Sequence, residues 1–417
     1  MTDFVNRSEE LDRLHGLFDS ENADLAVVYG RRRLGKTRLV KKALERRENA
    51  VFYQARQKTR DLQLEQFVEA AADSFPGIED IRPDWERLFR YLADQNAIVV
   101  LDEFPYLIEQ DESLPSVLQA LFDHEFDESQ TTFVLVGSSI SMMEEATLLG
   151  DSPLYGRTSL TLDIGELSFD AATEFLPDDV TADEAVRALS IFGGVPYYLE
   201  ELDADRSLAE NVQQTVLTRH GSLRNEPEFV LRMELTEPTR YFSILEAIAG
   251  GATGRNEIAG VTGIDYNQLS TYLDRLSRLR LIERHVPVTE NPERSKRSQY
   301  RLRDPLFRFW FRFLYGSADR YDQFGDEAYE RLVKPELSDF VAPAFEQLCC
   351  EALWTLYDET PIVNVGQWWY QDHEIDVVGL TDEEMLVVGE CKYQESTLDY
   401  SALASLETHV EELRWQP

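Results

Sequence analysis

At residues 25–29 the apolar run Leu-Ala-Val-Val-Tyr breaks into Gly30-Arg31-Arg32-Arg33-Leu34-Gly35-Lys36-Thr37, and a helix-forming stretch follows from Arg38 to residue 46. No other feature restricts the fold as strongly. A buried strand that ends in G-x-x-x-x-G-K-T and continues as a helix fits the phosphate-binding loop of a parallel α/β sheet. Gly30 and Gly35 let the backbone curl, so that successive N–H groups between Gly30 and Arg38 face one anion. Lys36 is expected to reach the β- and γ-phosphates of ATP. Thr37 offers its hydroxyl to Mg²⁺, and the helix aims its positive end at the triphosphate. In so acidic a chain, Arg31, Arg32 and Arg33 raise the local potential around that ligand.

Three later apolar runs, at 50–53, 97–101 and 132–136, read as strands of the same sheet, with 159–164 as a further one. Helical stretches at 62–75, 85–94 and 114–122 separate them. Alternating strands and helices with near-continuous apolar strands predict a layered α/β sheet. Ahead of it, Asn6 and Glu9 read as the two halves of a capping box opening a helix. The run 98–101 ends in Asp102 and Glu103. In a phosphate-loop protein the first acid holds the Mg²⁺ shell and the second polarises the attacking water. Residues 133–136 lead into Gly137-Ser138-Ser139, so Ser139 or Ser138 is a candidate partner of the γ-phosphate or the water. Arg157 is a candidate to supply transition-state charge, from the same chain or from a neighbouring subunit of a homo-oligomer.

Composition excludes several classes. The 417 residues exceed one core, and 43% hydrophobic content suits packed domains. No apolar run approaches membrane-spanning length, and MTDFVNRSEE lacks a signal-peptide core, so a soluble cytoplasmic protein is expected. Cys349, Cys350 and Cys391 fit buried free thiols rather than disulfides or zinc. The net charge is −37, from 78 acids and 41 bases, and only seven of the bases are lysine. Such acid excess resembles haloarchaeal proteins, whose carboxylate surfaces stay soluble in concentrated salt.

Downstream, 166–237 is helical and acidic, broken by Pro177, Gly193, Gly194 and Pro196. Helices at 239–249, 255–260 and 266–279, then strands at 281–288 and 298–303 around a polar loop, describe a winged helix. Between Arg255 and Arg303 lie ten basic residues and six acids. A basic wing with 266–279 as recognition helix suits DNA phosphates; docking to protein is the other use of this module. A helix at 306–314 and a connecting helix at 326–336 follow, with Pro335 and Pro343 as punctuation. A helix at 344–357, strands at 361–370, 374–380 and 385–393, and a helix at 398–413 complete the chain. On those strands a register setting Asp376 opposite Glu390 brings two carboxylates to Lys392, and Glu346 adds a third. Two carboxylates hold Mg²⁺, and a lysine positions water or steadies phosphorane charge.

The segment Phe4-Val5-Asn6-Arg7-Ser8-Glu9-Glu10-Leu11, the phosphate loop, LDEFPYL at 101–107, GSS at 137–139, LYGR at 154–157 and GGVPYYL at 193–199 together resemble the archaeal P-loop ATPase family, DEXX-box relatives of AAA+ and STAND ATPases. The resemblance covers almost the whole chain. It implies an ATPase core over 1–165, a helical lid over 166–237, a winged helix over 238–315, a helical linker over 316–340 and a PD-(D/E)xK nuclease-like domain over 341–417. It also implies that residues 4–7, with Arg7, lie against adenine and ribose, and that Gly194-Val195-Pro196 is the lid turn touching nucleotide. Ile375 departs from the nominal proline of the nuclease pattern. The chain ends after one helix where another strand is usual, so the last domain is expected to be truncated, degenerate or completed by a partner. The resulting expectation is an ATP- and Mg²⁺-dependent switch acting on DNA, without membrane association. The alternative is a nucleotide-gated regulatory or scaffold protein with slow turnover and an inactive terminal domain.

Overall fold

The structure, a computed structural model, describes residues 6–126, 129–235, 238–357, 361–383, 385–394, 397, 399–413 and 415. The chain divides into two compact units, one of residues 1–171 with Val195–Tyr197 and one of the remainder.

The first unit is built on five parallel strands: β1 (Asp24–Tyr29), β2 (Ala50–Gln54), β3 (Ile98–Asp102), β4 (Thr132–Gly137) and β5 (Leu160–Asp163). Their order is β2-β3-β4-β1-β5. The three central strands are buried at every position except the first of β1, as the unbroken apolar runs require of a sheet covered on both faces. Helices Lys36–Ala43, Arg60–Ala72, Trp85–Asp94 and Leu114–His124 connect the strands. Trp85–Asp94 starts at Asp84, whose carboxylate accepts from the Arg87 N–H. One face of the sheet is filled by aromatic rings. Phe67 sits edge-on to Tyr53, Trp85 and Phe89 at centroid distances of 5.6, 5.3 and 5.9 Å.

The expected capping box at Asn6 is not formed. Asn6 and Arg7 both take left-handed backbone angles, so Asn6 Oδ1 accepts from its neighbour Arg7 N, and the helix begins at Ser8.

The second unit contains the helix Ala182–Phe192, opened by a capping box between Thr181 and Glu184. Helices Pro238–Ala249, Arg255–Thr262 and Tyr266–Arg278 follow, then the antiparallel pair β6 (Ile282–His285) and β7 (Gln299–Leu302), close to the expected spans. The expected helix at 326–336 is instead three short irregular turns, Gly325–Glu327, Tyr329–Val333 and Lys334–Glu336. The next helix starts earlier than its sequence suggests and runs from Leu337 to Leu356, straight through Pro343 and across the 340/341 boundary. Buried Leu337, Phe340 and Val341 anchor the turns ahead of the proline, and that packing outweighs the lost hydrogen bond. This helix packs on the antiparallel sheet β8 (Ile362–Tyr370), β9 (His373–Thr381) and β10 (Leu386–Gly389), ordered β10-β9-β8. β10 stops at Gly389, so Glu390, Cys391 and Lys392 follow the strand rather than lie on it. The helix Tyr400–Glu412 lies against β9.

Phe67 is fully buried, so Phe67→Ala should destabilise the first unit by about 3–5 kcal/mol. Denaturant titration monitored through tryptophan checks this; a loss under 1 kcal/mol would show that the aromatic cluster is not the core of the sheet.

Candidate functional site

Gly30 follows β1 at φ 148, and a Cβ there would stand 2.3 Å from the Ile164 carbonyl oxygen. That carbonyl closes in because Ile164 N donates to Tyr29 O at 2.7 Å. Only glycine fits. Gly35, at φ 82, turns the chain into the helix Lys36–Ala43. The loop between them encloses Lys36, which is 5% exposed. Its ammonium donates to the carbonyls of Gly30 at 2.9 Å and Arg31 at 2.7 Å.

Thr37 and Asp102 meet directly, with Thr37 Oγ1 donating to Asp102 Oδ2 at 2.9 Å. β4 separates β1 from β3, so this bond spans the crevice at the carboxyl ends of the strands. Gln54 pairs with Asp102 in the β2–β3 register and donates Nε2 to the same Oδ2 at 3.0 Å. Glu103 N donates to Asp102 Oδ1 at 3.1 Å. Asp102 is 1% exposed, and burial pushes its carboxyl upward, opposed by the Thr37 hydrogen bond. Glu103 has φ 55, a left-handed angle uncommon for a carboxylate side chain inside a motif. Its Oε1 accepts from Ser138 Oγ at 3.0 Å, so of the two candidate serines it is Ser138 that engages Glu103. Ser139 begins the short helix Ile140–Met143 with its backbone.

The arginines of the loop diverge. Arg31 faces Glu166 at 3.7 Å, Arg32 Nη2 donates to Tyr106 OH at 3.2 Å, and Arg33 stacks on the Tyr197 ring at 3.9 Å. Arg32 Nε is buried with no acceptor among the described residues. Leu34 is buried and Arg38 exposed. Pro196 opens the helix Pro196–Glu200, and Val195–Tyr197 belongs to the same compact unit as the loop. Arg7 Nη2 donates to Gly165 O at 2.5 Å; Phe4 and Val5, expected beside adenine, lie outside the described residues. Arg157 grips Asp123 through two hydrogen bonds of 2.7 and 2.8 Å, and also donates to two carbonyls, so the structure does not bring it to Lys36 or Glu103.

Sequence reasoning missed Gln54, Tyr106 and Tyr197. Gln54 carries a signal in hindsight, as the polar end of an apolar strand, but its partner depends on register.

In the second unit the β9–β10 register ends with Val377 opposite Gly389, so the expected pairing of Asp376 with Glu390 falls just beyond the end of β10. Lys392 Nζ pairs with Glu390 and lies 3.7 Å from Asp376 Oδ2. Cys391 N donates to that same Asp376 oxygen at 2.9 Å. Glu390 Oε2 is buried without a partner among the described residues. Glu346 is held by Gln367 Nε2 at 2.9 Å, and burial, with Asp376 and Glu374 nearby, pushes its carboxyl up to about 6. Among the described residues no group of three His, Cys, Asp or Glu side chains could hold a metal ion. The expected Glu346–Asp376–Glu390 triplet is therefore not gathered as one ligand set: Gln367 holds one member and Lys392 bridges the other two.

The hairpin loop between β6 and β7 is also less free than its charge suggests. Arg297 binds Glu290 and donates to Trp369 O at 2.6 Å, Trp369 Nε1 returns a bond to Arg297 O, and Val288 N donates to Gln367 O. Arg284 donates to the carbonyls of Pro292 and Ser295. Arg294 and Lys296 remain exposed.

Comparisons place the chain among known proteins. A family described as "ATPase domain predominantly from Archaea" matches residues 4–202, and one described as "Archaea bacterial proteins of unknown function" matches residues 310–404. An uncharacterized protein of Methanocaldococcus jannaschii is 34% identical over 385 residues, 91% of this chain and 85% of that one. An uncharacterized ATP-binding protein of the same organism is 51% identical over 45 residues, 11% of this chain and 76% of that one. The solved Walker-type ATPase of Pyrococcus abyssi shares the fold at TM-score 0.56 and 22% identity, over 74% of this chain and 96% of that one. Among the described residues no helix is long and apolar enough to cross a membrane.

The raised Glu346 carboxyl makes a signed prediction. Below its unfolded value of 4.5 both states are protonated and burial costs nothing; as pH rises toward 6 the unfolded chain ionises first, so stability falls. In EDTA, Glu346→Gln should therefore gain stability at pH 8, by roughly 1 kcal/mol once solvent screening of this partly exposed carboxyl is counted, and less near pH 5. Denaturant midpoints at both pH values check it; a loss at pH 8 would contradict it.

Proposed function

From the premise that the chain belongs to the archaeal P-loop ATPase family and is an ATP-binding ATPase, we propose that it is an ATP-hydrolysing switch whose second unit acts on DNA. The observation that carries the reading is the set of bonds joining Thr37, Asp102, Glu103 and Ser138 beside a buried Lys36. The loop fits a triphosphate: Gly30 leaves a cradle that a Cβ would fill, and Arg32 Nε is an unused buried donor. Lys36 exchanges its two carbonyl partners for phosphate oxygens. Thr37 and Asp102 together suit Mg²⁺, which when bound neutralises phosphate charge. Glu103, positioned by Ser138, takes a proton from the attacking water. Arg33 stacks on Tyr197, which follows Val195 and Pro196, residues of the turn with which the lid of the resembled family meets nucleotide.

The region 238–315 is proposed as a winged helix on DNA, with Arg294 and Lys296 as its exposed phosphate contacts. The 341–417 region is proposed as the nuclease-like domain, with Asp376, Glu390 and Lys392 at its centre and the unpartnered Glu390 Oε2 as the opening for Mg²⁺. A second reading, a nucleotide-gated scaffold whose terminal domain binds without cutting, is favoured by one observation: Lys392 fills the space between the two carboxylates. The carboxylate-rich surface supports a haloarchaeal, cytoplasmic setting, so assays belong in concentrated KCl.

Glu103→Gln should lower phosphate release on the order of 10²-fold or more while ATP still binds. Equal release by variant and wild type in high salt would sink the hydrolysis claim. Mg²⁺-dependent DNA cleavage should vanish in Asp376→Ala and in Lys392→Ala; no cleavage by the wild type selects the scaffold reading.

A further inference from the structure

Ser317 precedes the short helix Ala318–Phe324, and spacings of three and four residues put Ser317, Arg320 and Tyr321 on one face of it. All three line a recess of about 340 Å³ in the second unit, with Arg312, Arg331 and Glu336 on its other sides. Two of the three arginines are already held in place. Arg312 Nη2 donates to Glu336 Oε2 at 2.7 Å. Arg331 pairs from outside the recess with Glu327 at 2.5 Å, and its guanidinium lies 5.3 Å from the centre of the Phe324 ring. A guanidinium carries five N–H donors, so each keeps most of its set for another acceptor. Among the described residues the Arg320 guanidinium and the Tyr321 hydroxyl have no hydrogen-bond partner. Nearby acids are engaged elsewhere: Asp322 accepts from Arg224 at 2.8 Å, and Glu330 pairs with Lys334 at 2.7 Å. Glu336 is the one acid among the described residues lining the recess. Three guanidiniums against one carboxylate leave a local charge of +2, in a chain whose net charge is −37.

We propose that this recess binds a phosphoryl dianion, through residues that belong neither to the phosphate loop nor to the Asp376 cluster. A terminal phosphate carries about −1.5 to −2 charges near pH 7 and three acceptor oxygens, which matches both the local charge and the donor set. A carboxylate brings one charge and two oxygens and leaves half of that charge unmatched. Arg320, whose fork is unclaimed, is the principal ligand, and planar guanidiniums suit the paired oxygens of phosphate better than lysines do. Arg312 and Arg331 supply the remaining charge, and the Ser317 and Tyr321 hydroxyls add neutral donors. Such a group is carried by free phosphate or by the 5′ end of a nucleic-acid strand. The inference rests on neither ATP hydrolysis nor DNA cleavage, and its test reads binding alone.

The full-length chain, saturated with ADP and Mg²⁺ to fill the phosphate loop, is titrated with inorganic phosphate by calorimetry. Arg320→Gln should weaken phosphate binding at least about tenfold and leave ADP affinity and the thermal midpoint unchanged. Arg320→Lys, which keeps the charge and loses the fork, should fall between the two. The difference between wild type and Arg320→Gln isolates the recess from any phosphate on the loop. Acetate should not displace the bound phosphate. Displacement by a 5′-phosphorylated tetranucleotide but not by its 5′-hydroxyl form supports the proposal and assigns the site to a strand end. Displacement by neither supports it and assigns the site to free phosphate. No phosphate bound, equal affinity in wild type and Arg320→Gln, competition by acetate, or equal displacement by both tetranucleotides would each overturn it.

Discussion

A single hydrogen bond, from the Thr37 hydroxyl to the Asp102 carboxylate, defines the working end of this molecule. It joins the helix that follows β1 to the end of β3, and those two strands are not neighbours. Two strand spacings separate β1 from β3, roughly 10 Å, and β4 fills the interval. The crevice above β4 therefore has a phosphate loop on one side and a carboxylate pair on the other. Everything else in the first unit holds those two walls in place. Gln54 steadies Asp102 from β2, Ser138 steadies Glu103 from β4, and the Ile164 carbonyl on the far side admits nothing larger than glycine at position 30. The sheet order is thus the cause of the site's chemistry.

The charge of the chain has a different meaning in each unit. Around the phosphate loop, arginines reach outward from the anion site to Glu166, Tyr106 and Tyr197, so the motif's basic side chains double as struts. In the second unit the basic residues of the hairpin loop are partly spent on fixing it to β8, through Arg297 to Glu290 and Trp369. A count of lysines and arginines overstates the charge left for a phosphate backbone. Near Asp376 the opposite holds: two carboxylates share one ammonium, and a third is held apart with a raised affinity for protons.

Much of this was legible in the sequence. Unbroken apolar runs located four of the five parallel strands, because strands covered on both faces need not alternate, and the alternating stretch 159–164 located the fifth, at the edge of the sheet. The G-x-x-x-x-G-K-T loop and the Asp102–Glu103 pair announced their geometry, because each depends on local backbone and strand ends. What escaped was what register and tertiary packing decide. Gln54 acquires its role from lying opposite Asp102. Pro343 sits inside a helix because buried residues ahead of it hold the turn. Arg157 was read as a candidate to supply transition-state charge and is paired with Asp123.

The central claim is that Thr37 and Asp102 form one Mg²⁺-holding pair for ATP. Calorimetric titration of ATP in Mg²⁺ and in EDTA, with the wild type and Asp102→Asn, addresses it most directly. The account predicts that wild-type affinity falls at least about tenfold without Mg²⁺, a change of about 1.4 kcal/mol, and that Asp102→Asn binds equally weakly in both buffers. An Asp102→Asn variant that keeps the full effect of Mg²⁺ would contradict it.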